Sequence, residues 1–122
     1  TIGDAESDHY AVVTGNVYGG GDAASVTGNT KVIYNDNNND NGTNHSYVAY
    51  LFGGGNAAGV TGEAEVNMIL GKVTAGIYGG CNASGAVGGT ATVNVTGGTI
   101  GTSATNTANI YGGGLGVNTR MT

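Results

Sequence analysis

The sequence predicts an all-β chain folded as a right-handed parallel β-helix, or β-solenoid, of about three to four coils. Two observations support this fold class. A short glycine-rich stretch occurs four times, and its aromatic residues lie 34, 26 and 33 positions apart. Repeats of about 20 to 50 residues are typical of solenoids and propellers. Between these stretches, apolar and polar residues alternate with the period of two expected of strands that bury one face.

Each copy of the glycine-rich stretch consists of an aliphatic residue, an aromatic residue, two glycines and a third small residue. Glycine adopts positive φ without steric cost and lets a second backbone approach closely, so we predict coil corners at 18–22, 52–56, 78–82 and 111–115. The residues predicted to build these corners are Tyr18, Gly19, Gly20, Gly21, Phe52, Gly53, Gly54, Gly55, Tyr78, Gly79, Gly80, Cys81, Tyr111, Gly112, Gly113 and Gly114.

Two further features of the corners follow from their side chains. The four aromatic rings are expected to stack in register, about 4.8 Å apart per coil. The Asp or Asn that ends each of the first three copies is expected to hydrogen-bond to the backbone of its own turn.

Three segments, 26–34, 60–68 and 87–95, align at their apolar positions. The side chains predicted to face inward are Thr30, Val32, Tyr34, Ala64, Val66, Met68, Ala91, Val93 and Val95. Those predicted to face outward are Asn29, Lys31, Glu63, Glu65, Asn67, Thr90, Thr92 and Asn94. This alignment makes Lys31 and Glu65 neighbours in a parallel ladder, where an exposed pair of opposite charges favours the register modestly.

The whole chain, 1–122, is predicted to form a single solenoid domain with two insertions. Residues 1–9 are polar and acidic and are expected to form a loop that leads into the first coil. An asparagine-rich stretch predicts a polar loop insertion at 35–46, and a stretch of Thr, Asn and Ala predicts a second insertion at 101–109. Because the chain starts with Thr1 and neither terminus carries a helical or charged cap, we expect an excised piece of a longer protein or ends that pair with further copies.

The composition disfavours several classes of partner. Gly accounts for 26 residues and Pro for none, which is not the composition of a disordered linker, and a three-residue collagen period is absent. The net charge is −5, with Lys31, Lys72 and Arg120 as the only Lys or Arg residues, so nucleic acid is not an expected partner. No apolar run reaches the roughly 18 residues of a membrane-spanning helix, so membrane insertion is not expected either.

Cys81, the single cysteine, replaces the third glycine of its copy. A small residue at a crowded corner is expected to be buried and unreactive, and one cysteine cannot form an internal disulfide. No His or acidic residue lies near it in the sequence to complete a metal site or to activate a nucleophile. The rest of the chain offers no catalytic constellation, so the sequence predicts no enzyme, no metal ligands and no cofactor.

The tyrosine–triple-glycine copies and runs such as Thr92-Val93-Asn94-Val95-Thr96-Gly97-Gly98-Thr99-Ile100 resemble repeat regions of large secreted or surface-anchored adhesin-like bacterial proteins. The resemblance covers nearly the whole chain. It implies right-handed parallel β-helices, an extracellular or cell-surface location and a structural or adhesive role. We therefore expect a module that joins end to end with copies of itself or with neighbouring repeats, and that contacts glycans or a host surface.

The main alternative function is a polysaccharide-binding or polysaccharide-degrading β-helix domain. Glu63 and Glu65 lie two positions apart on one predicted strand, which separates their side chains by about 7 Å. This separation falls within the range of inverting glycosidases, although any strand with two glutamates at this spacing provides it.

Two other functions and one other fold are weaker alternatives. Acidic residues that could bind calcium are Asp4, Glu6 and Asp8 near the start and Asp36 and Asp40 in the asparagine-rich stretch. The repeat length differs from that of calcium-binding β-rolls, and the outward faces do not repeat one residue as an ice-binding face requires. The alternative fold is a β-sandwich or a propeller fragment with antiparallel strands.

Overall fold

The computed structural model describes residues 1–4, 11, 13–37, 47–103, 105, 107–116 and 118–121, the last of these ranges by its backbone alone. This part of the chain contains strands and no helix, so the all-β prediction is confirmed. The strands are β1 (Val17–Tyr18), β2 (Thr30–Asn35), β3 (Val48–Phe52), β4 (Ala64–Leu70), β5 (Lys72–Tyr78), β6 (Ser84–Val87), β7 (Ala91–Val95), β8 (Thr99–Ile100), β9 (Asn109–Tyr111) and β10 (Asn118–Met121).

The strands form three sheets. Sheet 1 has the order β1-β3-β5-β8, and β9 also pairs with β5; sheet 2 has the order β2-β4-β7; sheet 3 consists of β6 and β10. Every pairing between the described strands is parallel. The alternative of an antiparallel sandwich or propeller fragment is therefore wrong, because hairpins would place sequential strands side by side with opposite directions.

The chain passes through the three sheets in a repeating order. Single-residue bridges join Val26 to Val60 and Val60 to Val87, the last residue of β6. The positions of Val26 and Val60, together with sheet 3, are called the line of sheet 3. A parallel bridge from Ile2 to Tyr34 likewise adds a neighbour to sheet 2. From the first residues onward the chain visits sheet 2, sheet 1 and the line of sheet 3, and then repeats this order.

The predicted alignment of the repeats is confirmed as a hydrogen-bonded register. Val32 pairs with Val66, and Val66 with Val93. Lys72 and Val73 also pair with Thr99 and Ile100. An irregularity occurs where the register shifts between Tyr34 and Asn35, because β4 has one additional residue at that end.

The core lies between the sheets and is deepest in the middle copy. A cluster of buried side chains joins sheets 1 and 2, and it comprises Val32, Tyr34, Val48, Leu51, Val66, Met68, Val73 and Ile77. The inward-facing residues predicted on β2 and β4 are all buried. Those on β7 are only partly so: Ala91 and Val93 are half-buried and Val95 is 38% exposed. The reason is that, among the described strands, β7 pairs with β4 alone.

The two predicted insertions begin and end differently from expectation. Asn35 is the last residue of β2, and Asp36 is fully buried, so the strand extends into the stretch predicted as the loop at 35–46. Asn109 begins β9, so the second insertion ends earlier than predicted. The proposed calcium ligands Glu6, Asp8 and Asp40 lie outside the described residues.

Candidate functional site

The four aromatic residues of the repeated stretch form one continuous stack. Ring centroids are 5.1 Å apart between Tyr18 and Phe52, 5.2 Å between Phe52 and Tyr78, and 5.2 Å between Tyr78 and Tyr111, with interplanar angles of at most 19°. The predicted aromatic ladder is thus confirmed. It arises because the parallel register places equivalent residues of neighbouring strands opposite each other.

The glycines after each aromatic residue are needed because neighbouring copies approach too closely for a side chain. A Cβ built on Gly53 would lie 2.5 Å from the carbonyl oxygen of Gly79, and one built on Gly79 would lie 2.5 Å from that of Gly112. The second glycine behaves similarly, since a Cβ on Gly80 would lie 2.7 Å from the backbone nitrogen of Gly114. These contacts are shorter than real Cβ atoms make, so the stacking itself excludes larger residues here.

Positive φ is not the reason for these glycines, contrary to one of the two roles expected of them. None of the glycines in the four copies has positive φ. Positive φ occurs elsewhere, for example at Gly71 (117°) and Gly98 (90°), which occupy equivalent positions where the chain turns from sheet 2 into sheet 1. The repeated stretch therefore depends on close backbone approach, and the turns between sheets depend on left-handed glycine.

Cys81 is 1% exposed, as predicted, and its Sγ lies 3.4 Å from the carbonyl oxygen of Ala58. The side chain fits because its neighbour in the previous copy, Gly54, has none: a Cβ there would lie 2.5 Å from Sγ. Burial raises the pKa of the Cys81 thiol above its ordinary value of 9.0, so it is protonated at neutral pH. Slow reaction with thiol reagents stays a prediction.

The polar residue that ends each of the first three copies forms a second ladder. The amide of Asn56 donates to Asp22 at 2.7 Å, and the amide of Asn82 donates to Asn56 at 2.7 Å. The expected bond from these side chains to their own turn backbone is therefore wrong, because the stacked repeats offer the amides of Asn56 and Asn82 an acceptor side chain in the preceding repeat. The fourth copy has Leu115 at this position, where it is 45% exposed.

The outer face of sheet 2 carries a polar network. Lys31 Nζ lies 3.0 Å from Glu65 Oε2, which confirms the predicted pair. Asn67 donates to Glu65 at 2.9 Å, and Asn94 donates to Asn67 at 2.8 Å. The hydrogen bonds from Lys31 and Asn67 lower the pKa of Glu65 below its ordinary value of 4.5. Glu65 is thus held in structural contacts, whereas Glu63, its partner in the glycosidase alternative, is exposed.

A small cavity lies beside the end of β2, between Asp36, Tyr47 and Lys72. Asp36 is fully buried; its Oδ1 accepts a hydrogen bond of 3.1 Å from the backbone of Ala11, and its Oδ2 has no hydrogen-bond partner among the described residues. At the rim, Lys72 Nζ lies 4.4 Å from the centre of the Tyr47 ring. No group of three His, Cys, Asp or Glu side chains that could hold a metal ion occurs in the described part of the chain.

The open edge of the last repeat carries most of the large exposed apolar side chains of the described residues. Six large hydrophobic side chains are exposed among the described residues, and Val95, Ile110, Tyr111 and Leu115 are four of them, at 38–49%. All four lie on or beside β7 and β9, which have no further strand beside them in the described chain. Open ends are expected from the sequence, but the concentration of exposed apolar side chains at one end is not.

Comparisons of the chain with protein-family models, with curated proteins and with solved structures find no match. Within the described residues, no helix is long and apolar enough to cross a membrane.

Proposed function

We propose that the chain is a right-handed parallel β-helix whose three sheets are the faces of successive coils. The proposal is supported by the fixed order in which the chain visits the sheets and by pairing that always joins one copy to the next. Such winding requires crossover connections between parallel strands of one sheet, and these connections are right-handed in about 98% of cases. The coils are held together by three ladders, made of backbone, aromatic rings and amides.

We further propose that this β-helix is a non-enzymatic structural or adhesive repeat module of the cell exterior. The observation that carries this proposal is that the same positions pair in every copy. Several side chains that could take part in chemistry are held in contacts within the fold: Glu65 pairs with Lys31, and Asn56 and Asn82 bond along the stack. Cys81 is buried. A repeat protein of this kind supplies length, stiffness and an extended surface.

The partners of the module are copies of the chain, or neighbouring repeats, joined end to end, and its targets are glycans or a host surface. End-to-end joining is supported by the open apolar edge at Val95, Ile110 and Tyr111, since an unpaired sheet edge is a template for another strand. The extracellular location and the adhesive role rest on the tyrosine–glycine resemblance.

Imaging and X-ray fibre diffraction of the concentrated protein test this proposal. We expect filaments whose strands lie across the filament axis, which gives a meridional reflection near 4.8 Å. Protein that stays monomeric at every concentration would argue against end-to-end joining. Binding of the labelled protein to an array of glycans and to host cells tests the adhesive role, for which retention on neither surface is the contrary result.

A further inference from the structure

We infer that the chain joins head to tail in one defined register, in which Ile2 of a second copy pairs beside Val95 and Tyr18 of that copy stacks on Tyr111. This junction rests on the proposed end-to-end joining and adds its polarity, its register and the residues that form it.

The order of the sheets makes the two ends complementary. The described chain begins in sheet 2, where Ile2 pairs with Tyr34, and its last described strand, β10, is in sheet 3. The next position in the repeating order is a strand of sheet 2 beside β7. The first segment of a second chain is itself a sheet 2 segment, so it can take this position.

The existing registers determine which residues would meet. In sheet 2, Ile2, Tyr34, Met68 and Val95 occupy equivalent positions. In sheet 1, Tyr18, Phe52, Tyr78 and Tyr111 do so. A second copy that continues both sheets therefore brings its Ile2 beside Val95 and its Tyr18 onto Tyr111, and both contacts form in the same placement.

Gly112 and Gly113, in the last repeat of the first chain, leave the space that this placement needs. A Cβ on Gly19, Gly53 or Gly79 would collide with the carbonyl oxygen of the equivalent glycine in the following repeat. A Cβ on Gly112 or Gly113 would meet no atom within 4 Å. Within one chain, Gly53 lies over Gly19. In the junction, Gly19 of the second chain lies over Gly112 of the first chain in the same way. The crowding that excludes side chains inside the chain would then be reproduced between chains.

Charge does not oppose the contact at the paired strands. In sheets 1 and 2 the edges that meet consist of Ile2 and β1 on one side and of β7, β8 and β9 on the other, and these strands carry no charged residue; β10, the last strand of sheet 3, contains Arg120. Charged side chains at sheet edges are a common means of preventing such association. The net charge of −5 makes whole copies repel one another, so the association should strengthen as salt concentration rises.

Gly112→Ala tests the junction without disturbing the single chain. The φ angle of Gly112 is not positive and its Cβ direction is empty, so the variant should fold with the circular dichroism spectrum and Tm of the wild-type monomer. Sedimentation velocity over a concentration series should show association of the wild type and loss of all species above monomer for Gly112→Ala. Thr102→Ala, in an exposed loop, is the control and should associate as the wild type does.

The outcomes separate the junction from the general proposal. If the wild type associates and Gly112→Ala associates equally well, this junction is wrong while end-to-end joining stands. If the wild type does not associate at any salt concentration, both are wrong. If Gly112→Ala does not fold, Gly113→Ala supplies the same test, because its Cβ direction is also empty.

Mixing the two proteins tests the polarity. Gly112→Ala keeps its first edge intact, so it should add to the open last edge of a wild-type stack and block further growth there. The mean mass of the wild-type stacks should therefore fall as the fraction of variant rises. A mean mass that is unchanged by the variant would contradict head-to-tail joining, because the first edge would then not be the partner of the last.

Discussion

The strands β4 and β7 carry equivalent residues in one sheet but are buried to very different extents. Ala64, Val66 and Met68 on β4 are completely buried, whereas the matching residues on β7 are half-buried or, at Val95, 38% exposed. The sequence pattern is alike in both, so the difference comes from the number of neighbours. A copy in this fold is stabilised by the copies on both sides of it, and an end copy obtains only half of that burial.

The largest effect is expected from a charge placed in the middle copy. Val66→Glu puts a carboxylate in an apolar interior without a cation to receive it, and the cost should exceed the stability of a small domain, which is about 5–15 kcal/mol. Val95→Glu, the matched change at the end, leaves its charge in water and should cost only about 1 kcal/mol or less. Chemical denaturation followed by circular dichroism measures both. Equal and small losses would show that β4 does not face a core.

The next largest effect is expected from the paired glycines. Gly53→Ala forces a Cβ to within 2.5 Å of a backbone oxygen that cannot move freely, and overpacking of this kind costs about 1–3 kcal/mol. Gly112→Ala in the monomer should be neutral or stabilising by about 0.4–1 kcal/mol, because alanine has less freedom in the unfolded chain. Urea midpoints at a concentration where the protein is monomeric compare the two. A larger loss of stability for Gly112→Ala than for Gly53→Ala would contradict close backbone approach as the reason for these glycines.

Alkaline pH should lower the free energy of unfolding because two tyrosine side chains are buried. Burial raises the pKa of Tyr34 and of Tyr78 above the ordinary 10.0, and in Tyr34 a backbone hydrogen bond from Lys72 partly opposes this. Because the folded pKa exceeds the unfolded one, the stability is fully present below pH 10 and is lost as pH rises through the folded pKa. We expect Tm to fall in that range, and to fall less in Tyr34→Phe. An identical pH profile for that variant would exclude Tyr34 as a cause.

The smallest effect is expected on the outer face. Lys31→Glu removes an exposed ion pair and places two carboxylates side by side, which should lower the urea midpoint only slightly. Lys31→Gln controls for the loss of the pair without the added repulsion. High salt should reduce the difference between the two variants. A loss as large as that of Val66→Glu would mean that the register depends on this pair and not on the core.

The sequence predicted those features that follow from local pattern and repeat spacing. Alternation around Val32, Val66 and Val93 was sufficient to predict which face of each strand is buried and how the strands pair. A slip by one residue would move every inward-facing side chain of a strand to its outer face. The aromatic stack followed from the same alignment. These features are repeated in the chain, so each copy supports the interpretation of the others.

Features that depend on contacts between distant residues could not be predicted in the same way. The role of Gly53 and Gly79 in close approach rather than in positive φ depends on where the next copy lies. The amide ladder through Asn56 was missed because a side-chain partner 26 residues away, Asn82, is invisible to local turn rules. The burial of Asp36 was missed because its polar neighbours in the sequence predicted a loop.

Residue-resolved amide hydrogen exchange in the monomer tests most directly the claim that each copy is stabilised by the copies beside it. We predict slow exchange along β4, which is paired on both sides, and alternating fast and slow exchange along β7, whose outer edge faces water. When the protein associates, the fast amides of β7 should become protected. Uniform protection of β4 and β7 in the monomer, or fastest exchange in β4, would contradict this account.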